Sequence, residues 1–353
     1  MFDHSLAKIL LRLCAISLMA IALAGATHRL APCSEGLFCD FERPEDISRL
    51  PGSDWALVSQ HGDEGLQWVN LEDGSRHGVD LSPDERETMM GSADCNEPPT
   101  SIAARGNTVG RVRGKEIAAV INGSDGESRI EFFAIERGSH PVARWTGCTQ
   151  VPNRYLLNDL AIASNGTIYA SHMYDRPNDE AGFAEVLRMF RAAEPTGFVV
   201  HWTAEDGWSE VSGTVMSFPN GVAISPNGDR LAIGGTFEQA LMIVALPSGN
   251  ATQIPLPLQP DNVTALADGR FLVTGHTGEP VTGVDGCRPR DAIPCGFPFA
   301  VAQIGIGQRV EIIYEHDGSE IPGASVAIPW QDGLILGSAY GDRLTFVSEM
   351  SPR

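Results

Sequence analysis

The chain has 353 residues and a formal charge of −20. Its length admits one large domain or two smaller ones. A surface this acidic repels phosphate backbones, which excludes nucleic acid as a partner, and it favours cations.

Lys8 and Arg12 precede an apolar run from Leu13 to Ala26 that closes on Ala24-Gly25-Ala26. A basic start, an apolar stretch shorter than a membrane span and small residues at its end make a secretory signal over residues 1–26. No later stretch approaches spanning length. The mature chain, residues 27–353, is therefore expected to be one soluble domain, secreted or periplasmic, with no transmembrane span. Cysteine usage agrees. Once Cys14 leaves with the signal, Cys33, Cys39, Cys95, Cys148, Cys287 and Cys295 remain, an even number suited to an oxidising compartment. Their pairing stays open, with Cys287 to Cys295 favoured because it clips a Pro-containing loop. There is no C-x-x-C, so neither a redox motif nor a zinc ribbon is indicated.

Beyond the signal, helical periodicity is confined to "EVLRMFRAA" at 185–193. Elsewhere short strand-like runs alternate with Gly, Asn, Asp and Pro. In chain order, related hairpins begin at Glu45 ("EDISRLPGSDWALVSQH"), Thr100 ("TSIAARGN", continuing through "KEIAAVING") and Asn158 ("NDLAIASNGTIYASH"). They continue at Asn220 ("NGVAISPNGDRLAIGGT"), Asp261 ("DNVTALADGRFLVTGH") and Ala324 ("ASVAIPWQDGLILGSAY"). Copies about 40 to 65 residues apart match four-stranded blades with variable outer loops. The expected fold is all-β: a six-bladed β-propeller with a central calcium-binding tunnel. A two-sheet sandwich would leave the repetition unexplained.

In a propeller the innermost strands surround the axis, so the first residues of the copies converge there. Among them are Glu45, Asn158, Asn220 and Asp261, and Asn262 follows directly with a further oxygen. Carboxylates and amides without His or Cys exclude a typical zinc site and suit calcium, which takes about 6–8 oxygens in flexible geometry. Asp46 and Asp159 come one residue after Glu45 and Asn158. Adjacent strand residues face opposite ways, so this second set is placed to hold a second cation deeper in the tunnel.

The stretches "PEDISRLPG", "LLNDLAI", "FPNGVAISPNGDRL", "PDNV" and "GLILGSAYGDRL" resemble, in the same order, the calcium-dependent serum paraoxonase and arylesterase family. More distantly they are similar to the gluconolactonase, regucalcin and strictosidine synthase propellers. The resemblance runs from about Glu45 to Val347. It implies a catalytic calcium held by Glu45, Asn158, Asn220, Asp261 and Asn262, and a structural calcium held by Asp46, Asp159 and the backbone carbonyl of Ile102. The chain also departs from the family. Its His–His pair over the catalytic calcium is matched by Thr100 and Gly123, and neither is a base. The covalent tie between the termini has no counterpart either, since the last cysteine is Cys295.

The second strand of each hairpin returns toward the mouth, carrying His61, His172, Thr236, His276 and Tyr340. The resemblance places His172 and His276 among the residues that line the family's pocket. The expected activity is calcium-dependent hydrolysis of a small lactone or ester. The metal polarises the carbonyl and holds the oxyanion, while Asp261, His172 or His276 activates water. Thr100, Phe218 and Tyr340 are expected to line the substrate pocket. No G-x-S-x-G occurs, so a serine-nucleophile esterase is not supported. The rival expectation is a non-catalytic, calcium-stabilised propeller that binds a small ligand or a protein. Loss of the histidine pair favours the rival; an open ring of oxygens favours the enzyme.

Overall fold

The middle strands of a propeller blade are sandwiched between neighbouring blades, so both of their faces must be apolar. Runs such as Trp55–Ser59 and Lys115–Asn122 meet that condition and are buried along most of their length. The computed structural model describes residues 28–29, 33, 38–61, 65–83, 90–93, 95–123, 128–246, 248–278, 295–305 and 307–348. These residues build six blades, and every repeated hairpin read from the sequence opens one of them.

The axial strands, in chain order, are Asp46–Arg49, Ala104–Val112, Leu157–Ile162, Pro219–Ile224, Gln259–Ala265 and Val326–Trp330. They open blades 1 to 6 respectively, and each blade then meanders outward through antiparallel neighbours. Blade 2 carries an additional outer strand, Asp80–Pro83, running parallel to Val142–Gln150. Among the described residues blade 6 has three strands, ending at Thr345–Val347. The ring is closed by backbone pairing across the chain's two ends. Phe41 and Arg43 donate to the carbonyls of Asp342 and Gly341, and Leu344 donates back to Phe38.

Each junction between neighbouring blades holds its own apolar core. Trp55, Trp68, Phe133 and Trp145 fill the junction of blades 1 and 2, and Ile117, Phe132, Leu160 and Trp202 that of blades 2 and 3. Similar clusters occupy the other four junctions, the last joining Ile47 and Val58 to Val326 and Trp330. Burial on both sheet faces is the reason these strands read as apolar runs rather than alternating ones.

The expected helix is present and begins earlier, as Glu180–Arg191, inserted between the second and third strands of blade 3. Asp179 caps it by accepting the Gly182 amide, and Phe190 is its buried residue. Disulfides join Cys33 to Cys39 and Cys95 to Cys148. Cys295 is also disulfide-bonded; Cys287, its expected partner, lies outside the described residues, as does the expected signal segment. No helix among the described residues is long and apolar enough to cross a membrane.

Candidate functional site at the axial mouth

Four axial strands slip register just after their start. Ala104 and Asn107, Leu157 and Leu160, Pro219 and Val222, and Pro260 and Val263 flank the irregularities. In each case two axial residues oppose one on the partner strand, which is a β-bulge. Blade 1 has the same arrangement, since Glu45 donates to the Ser59 carbonyl while Asp46 pairs with Ser59. So does blade 6, with Ser325 and Val326 against Gly337. A bulge bends the strand and re-aims its side chains. That is why consecutive residues such as Asn158 and Asp159 can both serve the axis, contrary to the opposite-facing arrangement of a regular strand.

The bulges define two rings. The mouth ring is Glu45, Arg105, Asn158, Asn220, Asp261 and Ser325; the inner ring is Asp46, Gly106, Asp159, Gly221, Asn262 and Val326. Two expected assignments are corrected by this register. The mouth position of blade 2 is Arg105 rather than Thr100, and that of blade 6 is Ser325 rather than Ala324. Thr100 is exposed and lines a separate pocket of about 310 Å³ with Gly65, Arg76 and Leu81. The Ile102 carbonyl packs against Gly65, away from the axis. The carbonyl two residues beyond the blade 2 mouth position belongs to Asn107, and it accepts the Ser48 hydroxyl at 3.0 Å. The small residues of "TSIAA" imitate a blade entry, whereas the true parallel is between "RGNTV" and "NGVAI", aligned at Gly106 and Gly221.

At the mouth, Asn220 donates its Nδ2 to Asp261 Oδ1 at 3.0 Å and to Thr236 Oγ1 at 3.3 Å. Its amide oxygen, Oδ1, is buried without a partner. Asn158 turns its nitrogen toward Met173 Sδ. Glu45 and Asn158 line a pocket of about 390 Å³ together with Gln60, His61, Ala103, Ala104, Arg105 and Gly123. Asp261 keeps some access from the mouth yet lies deep among protein atoms. Burial, and after it the charge of Glu45, pushes its carboxyl well above the ordinary range.

Below the mouth, residues with polar side chains alternate with residues that lack them. Asp46 accepts the Asn107 and Ile47 amides at 2.6 and 2.8 Å. Asp159 accepts those of Val222 and Leu160, both at 2.7 Å. Each aspartate therefore ties its blade to the next. Asn262 reaches from blade 5 to the Glu45 carbonyl at 3.2 Å. Between them Gly106 and Gly221 admit the neighbouring backbones. A Cβ on Gly106 would stand 2.5 Å from the Asp159 Cα, and one on Gly221 would stand 2.5 Å from the Asn262 Cα. Burial, outweighing the two amide bonds, raises Asp46 to about 7, with Glu45 adding to the effect. Asp159 is displaced the same way by burial and then by the charge of Asp46.

Two aromatic walls flank the mouth. Phe218, held at a φ of 51°, packs with Tyr174, Phe190 and Phe237 at centroid distances of 5.9, 5.1 and 5.5 Å. Opposite in sequence, His276, Phe297 and Tyr340 form a second cluster, with Phe297 4.4 Å from His276 and 4.7 Å from Tyr340. Burial, then the charges of Asp261 and Glu45, raises the Tyr340 phenol. The sequence pointed to Phe218 and Tyr340 by their phase; the rings packed on them come from the helix, Phe190, and from connecting segments, Tyr174, Phe237 and Phe297, which no strand pattern brings together.

The two histidines differ. His172 Nδ1 accepts the Leu156 amide at 3.0 Å, and its Nε2 lies 3.2 Å from Asp175 Oδ1. With Nδ1 accepting, Nε2 carries the proton and donates it, so neither nitrogen offers a lone pair to water. Burial lowers its pKa in spite of Asp175. His276 Nε2 is buried with no partner, and burial lowers that imidazole to about 4, so it is neutral near pH 7.

The mouth fits a hard cation by its donor chemistry. Its oxygens come from carboxylates and amides, one amide oxygen is orphaned, and its carboxylates repel one another in a poorly solvated space. Among the described residues no three His, Cys, Asp or Glu side chains converge as a metal cluster; at the mouth two neighbouring positions, Asn158 and Asn220, carry amides instead of carboxylates.

Fold and site define a six-bladed propeller with a polar, oxygen-lined axial mouth. It is similar to a luciferin-regenerating enzyme, with a TM-score of 0.53 and 10% identity over 91% of this chain and 94% of that one. It is also similar to a protein named as a candidate gluconolactonase, with a TM-score of 0.50 and 13% identity over 94% of each chain. At such identities the likeness shows the fold alone. No protein-family profile and no curated protein matches the chain.

Proposed function

We propose that the axial mouth binds calcium and hydrolyses a small lactone or ester, and that the protein works outside the cytoplasm, where its disulfides persist. The orphaned Asn220 amide oxygen beside Asp261 carries this proposal. A buried acceptor without a donor destabilises the fold by about 1–3 kcal/mol unless something occupies it. Glu45, Asn158, Asn220 and Asp261, with Asn262 beneath, would hold the catalytic cation. Asp46 and Asp159 would hold a second, structural one. Bound calcium would polarise the scissile carbonyl and stabilise the oxyanion.

The chain's own groups do the rest. Asn220 fixes one oxygen of Asp261, and the other takes a proton from water as that water adds to the carbonyl carbon. When the tetrahedral oxyanion collapses, the ester oxygen leaves and receives that proton back from Asp261. Phe218 and Tyr340 hold the apolar part of the substrate. His276, neutral and unpartnered at Nε2, is the histidine still able to accept a hydrogen bond there. His172 positions the Leu156 loop rather than water.

The test combines calcium calorimetry with a panel of lactones and aryl esters, assayed in calcium and in chelator. The expected result is calcium binding and calcium-dependent turnover of at least one substrate, lost in Asp261→Ala. Calcium binding without turnover of any substrate would leave the non-catalytic binding propeller as the better account; no calcium binding would overturn the site altogether.

A further inference from the structure

We infer that Arg105 makes the mouth an anion-selective site, so that the preferred ligand is a lactone or ester bearing a free carboxylate. This deepens the hydrolase proposal and rests on it for the substrate class, while the anion site itself can be read independently.

Arg105 occupies the blade 2 position of a ring otherwise built from oxygens. The register slip that places Asn158, Asn220 and Asp261 also places its backbone. Its Nη1 donates to the Leu157 carbonyl at 3.1 Å, which draws the guanidinium across to blade 3, next to Asn158. A guanidinium has five N–H donors in a fixed fork and no acceptor. Among the described residues no carboxylate pairs with Arg105, and Leu157 is its one hydrogen-bond partner. The side chain is half-buried in the wall of the 390 Å³ pocket, a volume within the range of small-ligand sites.

The returning strand of the same hairpin leaves room beside the guanidinium. Gly123 is the neighbour there, and a bare Cβ at that position would already stand 3.7 Å from Arg105 Nε. Any longer side chain would lie over the guanidinium. The charge of Arg105 also reaches Tyr174, which stacks on Phe218. The mouth therefore presents a forked cation within electrostatic reach of an aromatic cluster.

Charge balance gives the ligand's sign. With one divalent cation on Glu45 and Asp261 and the second on Asp46 and Asp159, the four carboxylates are offset and Arg105 remains as positive charge at the mouth. A planar fork of donors matches a carboxylate through paired hydrogen bonds better than it matches a hydroxyl or an ether. A substrate that presents its lactone or ester carbonyl to the mouth oxygens' cation and its free carboxylate to Arg105 satisfies both groups at once.

The experiment uses the calcium-saturated protein and two probes. Glutarate, which cannot be hydrolysed, is titrated by calorimetry. A γ-lactone carrying a ring carboxylate is compared with its methyl ester for KM and kcat. The expected results are measurable glutarate binding and a lower KM for the free acid than for the ester. Arg105→Gln should weaken glutarate by about tenfold or more and abolish the preference by raising KM. Should Arg105→Gln fail to fold, Gly123→Asp provides the same test by setting a carboxylate against the guanidinium, with the same loss expected. Equal affinity for glutarate in parent and variant, or a parent that prefers the ester, overturns the inference. If glutarate binding depends on Arg105 while no lactone or ester is turned over, the anion site stands and the hydrolase proposal falls.

Discussion

Chelated protein should lose stability as the pH rises from about 4 to about 7, and calcium should abolish that loss. Asp46 takes up its proton at about 7 in the fold, against 3.8 in the unfolded chain. Between those values the folded protein holds a proton that the unfolded chain has released, so stability falls as the pH increases. Below 3.8 both states are protonated and the penalty is absent; above about 7 both are ionised and it is complete. At about 1.36 kcal/mol for each pH unit separating the two values, the loss is of the order of 4 kcal/mol. Asp159 and Asp261 are displaced in the same direction and deepen it. At about 2 °C per kcal/mol for a chain this long, the melting temperature should drop by roughly 8 °C. Exposed pairs such as Glu116 with Arg137 act with the opposite sign, and at lower pH, so they do not mimic the effect. A cation between the carboxylates replaces their repulsion with attraction and also stabilises by mass action. The assay is thermal melting across that window in excess chelator and in excess calcium. A chelated protein whose melting temperature stays flat or rises with pH would refute the claim that these buried carboxylates lack a counter-charge of their own.

The other expectations concern single residues. Asp159→Ala strands the Val222 and Leu160 amides, at about 1–3 kcal/mol each, and should lower the melting temperature even in chelator; a melt equal to the parent's would show that the inter-blade tie contributes nothing. Asp261→Asn should end turnover but raise the melting temperature of chelated protein, because it removes one of the repelling carboxylates; unchanged turnover would exclude Asp261 as the base. Gly221→Ala drives a methyl group into the Asn262 backbone and should cost about 1–3 kcal/mol together with calcium affinity, both read from calcium-dependent melts. His172→Ala should destabilise by removing the acceptor of the Leu156 amide while leaving the pH profile of kcat in place; loss of an ionisation from that profile would restore His172 as a base.

The sequence by itself determined the repeat and hence the number of blades, because each blade must bring one polar strand entry and one apolar hairpin to a common axis. It also determined most of the mouth oxygens, since Glu45, Asn158, Asn220 and Asp261 stand at the same phase of their copies. Where a copy was degenerate, the phase failed. Blade 2 opens with Arg105, chemically unlike its counterparts, and only the hydrogen-bond register of Ala104 with Asn122 and Asn107 with Val120 places it. A pattern of side chains locates a strand; a bulge, which is a matter of backbone pairing, decides which of its residues reach the axis. The inner ring shows the same limit. Asp46, Asp159 and Asn262 are visible in the sequence, but that they interleave with Gly106 and Gly221 is settled by how closely neighbouring blades approach. Likewise His172 and His276 end equivalent strands, but the register sets them one residue apart, His172 facing Leu157 and His276 facing Gln259; one is locked by a backbone amide and the other is left bare among aromatic rings, because long-range packing alone brings partners to a side chain.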